Sequence, residues 1–312
     1  MLDIFQNTKR PDPNLFFQNN DSNDPRLGEV VLKNEYNNSE IIILGCPQDE
    51  GVRRNKGRIG AALAPNAIRQ QFYKLTNFGL KTAVYDLGDT LIQESLEATH
   101  DLHTQIVEQL LIDNKKIIIL GGGNDISFAD GSAMAKVFGA QRWQALNVDA
   151  HFDVRNDFPR NSGTPYRQLL EDNLINPLNL FEIAYQSQVA SPIYFDYLKS
   201  LEVNLVSLEE FQSINFDIQT KISNDSYIFW GFDVDAVRSA DAPGVSAPSP
   251  IGLTAEEFCS MANFAGSLLK TKIVEFTEVN PKFDIDNRTA KLVALAMHQF
   301  ISAVKKEKPA TI

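Results

Sequence analysis

Apolar residues along the chain gather in short runs, and longer stretches with helical spacing separate them. The runs are EIIILG (40–45), TAVYDL (82–87), KIIILG (116–121), WQALNVD (143–149), FEIAY (181–185), VNLVS (203–207), YIFWGFD (227–233) and KIVEFTE (272–278). None alternates strictly with polar residues, which is the pattern of strands covered by helices on both faces. Between them, AALAPNAIRQQFYKL, ESLEATHDLHTQIVEQLL, SFADGSAMAKVF, LTAEEFCSMANFAGSLLK and DNRTAKLVALAMHQFISAVKK repeat apolar residues at helical intervals. This alternation predicts an α/β fold, a three-layer α/β/α sandwich around a mainly parallel eight-stranded sheet. With no repeat or low-complexity linker, residues 40–312 read as a single domain. Residues 1–39, rich in Asn, Asp and Pro, read as an irregular lead-in with one short helix.

Open parallel sheets collect ligands at the carboxyl ends of their strands, so the residues just after each run are the candidates for chemistry. WQALNV runs into DAHFD, which places Asp149, His151 and Asp153 two residues apart and on one face of an extended chain. Two carboxylates and an imidazole suit a divalent cation such as Mn²⁺. The competing reading is a strand-end turn whose aspartates cap backbone N–H groups. YIFWGF ends in DVD, which aligns Asp233 and Asp235 in the same way. Two close carboxylates at the end of an apolar strand are expensive to bury without a cation. Two such tips fit a dinuclear site, with ions about 3.5–4 Å apart. Glu278 ends a third strand, where it either grips a cationic amidinium-like group or pairs with a Lys or Arg. GGG at 121–123 lacks the residues of a phosphate loop and reads as close backbone approach.

Composition narrows the partners. With 312 residues, 43% of them hydrophobic, the chain can bury a large core. A net charge of -11 with no basic run excludes nucleic acid as a natural partner. Cys46 and Cys259 read as two reduced thiols of a cytoplasmic protein. The N-terminus shows no secretory signal, and no run is long enough to cross a membrane. His100 and His103 fall on an amphipathic stretch and read as solvated or half-buried, and His298 as structural.

Five segments carry a family resemblance: GCPQDEGVRRNKGRIGAALAPNAIR (45–69), GGGND (121–125), NVDAHFDVR (147–155), GFDVDAVRSADAPGVSAPSPIGL (231–253) and TEVNP (277–281). In this order they resemble the motifs of the arginase/agmatinase/formiminoglutamase family, the ureohydrolases. DEGVRRNKGR and NSGTPYR (161–167) resemble the formiminoglutamase branch most. The resemblance implies an arginase-like sandwich, two Mn²⁺ per chain and hydrolysis of a C–N bond in a linear amidine. For the formiminoglutamase branch, N-formimino-L-glutamate would give glutamate and formamide by attack of a metal-bridging hydroxide. Carried over by position, Asp149 and Asp233 would bridge the ions, and His151 and Asp235 would complete one of them. Asp153 would ligate the other and shuttle the nucleophile's proton, with Glu278 holding the substrate nitrogen. Arg53, Arg54 and Asn55 would receive substrate carboxylates, as would the loop Ser162, Gly163 and Thr164. A homo-oligomer is implied by kinship alone.

One position departs from the family. The remaining metal ligand is a His, and here it is Asn124, a neutral and weaker donor. Its neighbour Asp125 reads either as a substitute ligand or as a cap for the helix beginning near Ser127. Two other readings follow: a ureohydrolase fold that binds one or no metal and does not catalyse, and a hydrolase of guanidino substrates.

Overall fold

The computed structural model describes residues 2–213, 218–223 and 225–305. The strands are β1 (Thr8–Lys9), β2 (Ile41–Gly45), β3 (Val84–Thr90), β4 (Lys116–Leu120), β5 (Trp143–Val148), β6 (Leu180–Tyr185), β7 (Asn204–Ser207), β8 (Tyr227–Asp233) and β9 (Thr271–Thr277). The helices are α1 (Leu27–Val31), α2 (Glu50–Arg54), α3 (Ala64–Phe72), α4 (Leu96–Ile112), α5 (Ser127–Phe138), α6 (Pro165–Glu171), α7 (Pro192–Ser200), α8 (Leu208–Phe211), α9 (Ala255–Ser267) and α10 (Arg288–Ala303). The last helical stretch read from the sequence ran to Lys306, which lies outside the described residues.

All the strands join one sheet in the order β1-β3-β2-β4-β9-β8-β5-β6-β7, parallel except for β1. The sheet has nine strands rather than eight because the lead-in supplies β1, which pairs Thr8 with Thr90 and Lys9 with Asp89. Leu27 and Val31 of α1 are buried as well, and the Phe16 ring stacks on Tyr73.

The strands lack polar alternation because both faces are covered. Ile41, Ile43, Leu146, Val148, Trp230 and Phe232 pack toward Ile68 and Phe72 of α3, Phe258 of α9 and Val293 and Phe300 of α10. Their neighbours Ile42, Leu44, Ala145 and Phe229 face the other way, toward Ile106 and Leu110 of α4, Met134 of α5 and Leu169 of α6. No described helix is long and apolar enough to cross a membrane.

Chain order turns around in the middle of the sheet. β2 and β4 lie on one side, β5 to β7 on the other, and the late strands β8 and β9 sit between. Val148, Phe232, Phe276 and Leu120 share one row of the register. The residues following them therefore emerge side by side at a topological switch point, where open parallel sheets place their ligands.

Candidate metal centre

Both acidic tips are built alike. Asp149 Oδ1 accepts from the His151 backbone N–H at 2.7 Å, and Asp233 Oδ1 accepts from that of Asp235 at 2.9 Å. One oxygen of each aspartate thus locks an Asx turn, the competing reading of these motifs, while the other oxygen stays available. The two readings hold together.

The tips meet in space. Asp149, His151 and Asp235 place ligand atoms within 4.8 Å of one another, and so do Asp149, Asp153 and Asp233. Asp149 belongs to both triads. His151 Nδ1 lies 3.3 Å from Asp149 Oδ1 and 3.6 Å from Asp235 Oδ1. The Asp235 carboxylate, offsetting burial, raises the imidazole's proton affinity. Burial, then neighbouring carboxylates, raise Asp233 and Asp153 well above the ordinary range, and burial raises Asp235 too.

Asp153 and Glu278 hold left-handed backbone conformations, with φ of 46° and 62°. Non-glycine residues seldom adopt that region, which costs about 1–2 kcal/mol. Glu278 Oε1 accepts from the Asn124 backbone N–H at 2.8 Å. Its buried Oε2 has no hydrogen-bond partner among the described residues, and neither does Asp235 Oδ1. No Lys or Arg pairs with Glu278 among those residues. Burial pushes the Glu278 carboxyl up to about 8. Buried acids in this state, with orphaned oxygens and one imidazole, fit a divalent cation with oxygen and nitrogen preference.

The glycine run zips the tips together. Gly121 N–H donates to Phe276 O, Gly122 O accepts from Glu278 N–H, and Gly123 N–H donates to Gln48 O. A Cβ on Gly122 would sit 1.6 Å from Gln48 O, so close backbone approach is the reason for glycine there. Asn124 follows, 1% exposed, with its Nδ2 2.8 Å from Asp153 Oδ2.

Above the carboxylates lies a cavity of about 250 Å³ lined by His151, Asp153, Asp233, Asp235 and Glu278, and by Asn55, Ser162, Arg155, Tyr194 and Ser246 among others. Asn55 Nδ2 donates to Ser162 Oγ at 3.0 Å, joining two of the expected substrate residues in one wall. Arg53 and Arg54 lie elsewhere. Arg53 is held by Glu50 on the surface, and Arg54 by Glu50, Glu97 and the Arg160 carbonyl. The Arg54 guanidinium holds the Glu97 carboxyl down at about 2. Thr164 is buried and spends its hydroxyl on Asn161. Gly163 contributes space: a Cβ there would lie 2.6 Å from Arg155 Cδ.

Arg155 is the residue that sequence reasoning missed. It lines the cavity, and its guanidinium has no hydrogen bond or ion pair among the described residues. The two-residue spacing of Asp149, His151 and Asp153, carried one step further, lands on it. His100 and His103 are also placed differently from the sequence reading. They are 1% and 0% exposed, and they pair with Asp125 and Asp130 at 2.7 and 3.2 Å, because α4 packs that face against α5. Asp125 caps no helix. Its Oδ2 is taken by His100 and Gln48 Nε2.

Comparison with known proteins agrees with this geometry. The model of the arginase family matches residues 39–302. A formimidoylglutamase of Staphylococcus aureus is 35% identical over 269 residues, 84% of this chain and 86% of that protein. A Trypanosoma cruzi formiminoglutamase crystallised with Mn²⁺ superposes with a TM-score of 0.83 at 30% identity, covering 90% of this chain and 98% of that one. An Asn-to-His variant of that enzyme, also with Mn²⁺, superposes at 0.84 with 29% identity, covering 90% and 98%. The match over nearly the whole described length, with the paired acidic tips in place, shows that the chain belongs to the arginase family.

Proposed function

We propose that this protein is a Mn²⁺-dependent formimidoylglutamase, which hydrolyses N-formimino-L-glutamate to glutamate and formamide. The observation that carries the reading is the pair of triads sharing Asp149 beneath a cavity whose wall presents the unpaired Arg155 guanidinium. The names of the bacterial and trypanosomal relatives support the substrate, and the manganese in the trypanosomal structures supports the cofactor.

Asp149, His151, Asp235, Asp153 and Asp233 would hold the ions, with Asn124 beside Asp153. Bound divalent ions would supply Lewis acidity and lower the pKa of water toward neutrality. The chain's own residues do the rest. Asp153, buried beside Asn124, accepts a proton at the carboxylate oxygen not engaged with an ion. Glu278 offers its free Oε2 to the substrate's N–H groups, which a carboxylate matches well. Arg155 receives a substrate carboxylate through its planar fork, while Asn55 and Ser162 hydrogen-bond the same end. A cationic Arg155 favours a dianionic tail over the ammonium-bearing tails of guanidino substrates. The family kinship also carries a homo-oligomer in the cytoplasm.

Purified protein loaded with Mn²⁺ should release formamide from N-formimino-L-glutamate, and Asp233→Ala should abolish the release. Urea from a guanidino compound, with no formamide, would overturn the substrate assignment. No turnover with any divalent metal would overturn the catalytic one.

A further inference from the structure

Asn124 holds its amide between two hydroxyls and a carboxylate. Nδ2 donates to Asp153 Oδ2 at 2.8 Å, while Oδ1 accepts from Ser127 Oγ and Thr277 Oγ1, each at 2.9 Å. Ser127 and Thr277 are fully buried. In this orientation the one amide atom able to ligate a cation faces away from Asp153 and is engaged by two donors.

We propose that Ser127 and Thr277 form a pivot on which the Asn124 amide turns over when the Asp149–Asp153–Asp233 triad takes up its ion, so that Oδ1 faces the ion and Nδ2 faces the hydroxyls. The inference rests on the metal reading above. A hydroxyl both donates and accepts, so two hydroxyls can serve either end of an amide. Before the turn, two O–H groups converge on one oxygen. After it, the two N–H groups of Nδ2 find two hydroxyl oxygens. The rotation is about the terminal side-chain torsion, which has broad, roughly two-fold wells. The residue itself stays fixed, because its backbone N–H is bound to Glu278 Oε1.

Glu275 completes the device. Its Oε1 lies 2.5 Å from Ser127 Oγ, and Ser127 has one hydroxyl hydrogen to divide between Glu275 and Asn124. When the amide turns and no longer needs that hydrogen, an acceptor is already in place. The carboxylate of Asp153 sets the direction. Facing Asp153 Oδ2 alone, Oδ1 would set one acceptor oxygen against another, and Nδ2 is preferred. With a cation between them the preference inverts. Thr277→Val or Ser127→Ala keeps the space roughly filled but serves neither orientation.

The test is a Mn²⁺ titration of the metal-stripped full chain, by calorimetry and by electron paramagnetic resonance, on Thr277→Val, Ser127→Ala and Thr277→Ser. The expected result is a first ion bound as in the unmodified protein. The second ion, read from the spin-coupled signal of a manganese pair, should bind about 10–100-fold more weakly in Thr277→Val and Ser127→Ala. Thr277→Ser restores it, and the Val and Ser pair carries the test if Ser127→Ala does not fold. Wild-type affinity for both ions in Thr277→Val would overturn the pivot, as would equal weakening of both ions. If the unmodified protein bound no Mn²⁺, the metal centre itself would be refuted, a result distinct from either.

Discussion

Replacing Asp233 by asparagine should stabilise the metal-free protein while destroying its hold on cations. Asp233 is 2% exposed, and its Oδ1 accepts the Asp235 N–H at 2.9 Å, a bond the amide oxygen of asparagine retains. What the substitution removes is charge. Burial comes first among the causes that raise the Asp233 carboxyl, followed by Asp235, Asp149, Glu278 and Asp153. An acid raised in the folded state keeps a proton that the unfolded chain releases. Its cost is therefore absent below the ordinary carboxylate range and grows as pH rises toward the folded value. Ligand atoms of Asp149, Asp153 and Asp233 lie within 4.8 Å of one another. Two unit charges about 5 Å apart repel by about 3 kcal/mol at an effective dielectric of about 20. Proton uptake relieves part of that, which leaves a gain of about 1–3 kcal/mol for Asp233→Asn at pH 8, or roughly 2–6 °C in melting temperature. Scanning calorimetry in chelator at pH 5 and pH 8 measures the gain, which should shrink at pH 5. Mn²⁺ at a hundred times its dissociation constant should add about 2.7 kcal/mol to the unmodified protein and leave the variant unmoved. If Asp233→Asn melts at or below the unmodified protein at pH 8 in chelator, the carboxylates are not frustrated charges and the physical case for a cation fails.

Three further substitutions separate cavity from scaffold. Arg155→Leu should raise KM about 10–100-fold with kcat nearly unchanged, as for a charged hydrogen bond worth about 1.5–3 kcal/mol made equally in ground and transition states. Arg53→Leu should change neither, and a fall in kcat at constant KM would refute the assignment of Arg155. Arg69 is fully buried, with Nε 2.9 Å from Asp86 Oδ2 and an NH2 3.0 Å from the Gly88 carbonyl. Arg69→Met would leave Asp86 without a cation, holding only the Tyr73 hydroxyl and the Gly88 N–H, and should cost about 3–5 kcal/mol in urea unfolding, and a loss below about 1 kcal/mol would refute it.

Eight strands were legible because burial on both faces makes most of them apolar runs, and the half-buried edge strand β7 still keeps Leu205 and Val206. β1 was not, since Thr8 and Lys9 are polar and become a strand only by pairing with Thr90 and Asp89. α6 and α7 open on prolines and are short, which leaves too little periodicity to read. The acidic tips were legible because the parallel sheet says where its strands end, but extended period-two geometry is not what gathers them: Asp149 and Asp233 close Asx turns, Asp235 lies in the turn after β8, and Asp153 has a left-handed backbone. The arginines were not. Arg53 and Arg54 stand beside Asn55, yet Glu50 and Glu97 draw them off, and Arg155 reaches the cavity because Gly163 leaves room for it. Partner choice across 43 or more residues of sequence is a property of packing.

The least legible feature lies two residues below the tips. Asn147 pairs in register with Glu182 and Gly231, and Gly231 with Glu275, so polar side chains cross the sheet in a row directly under the acidic layer. In the sequence each looks like a stray polar residue inside an apolar run. Asn147 Nδ2 donates to Glu182 Oε2 at 2.8 Å, with Asp149 Oδ2 3.5 Å away, and Glu275 reaches Asn124 through Ser127. Asp130 and Glu275 are neighbouring buried carboxyls, Asp130 Oδ2 and Glu275 Oε2 have no hydrogen-bond partner among the described residues, and their closeness favours keeping a proton on at least one of them. Burial raises Glu182 and Glu275 well above the ordinary range and lifts Asp130 to about 7. A floor of ionised acids would add repulsion to ligands that already crowd one another. A protonated floor orients those ligands by hydrogen bonds alone, which keeps the site's negative charge in the upper layer, where a cation can neutralise it.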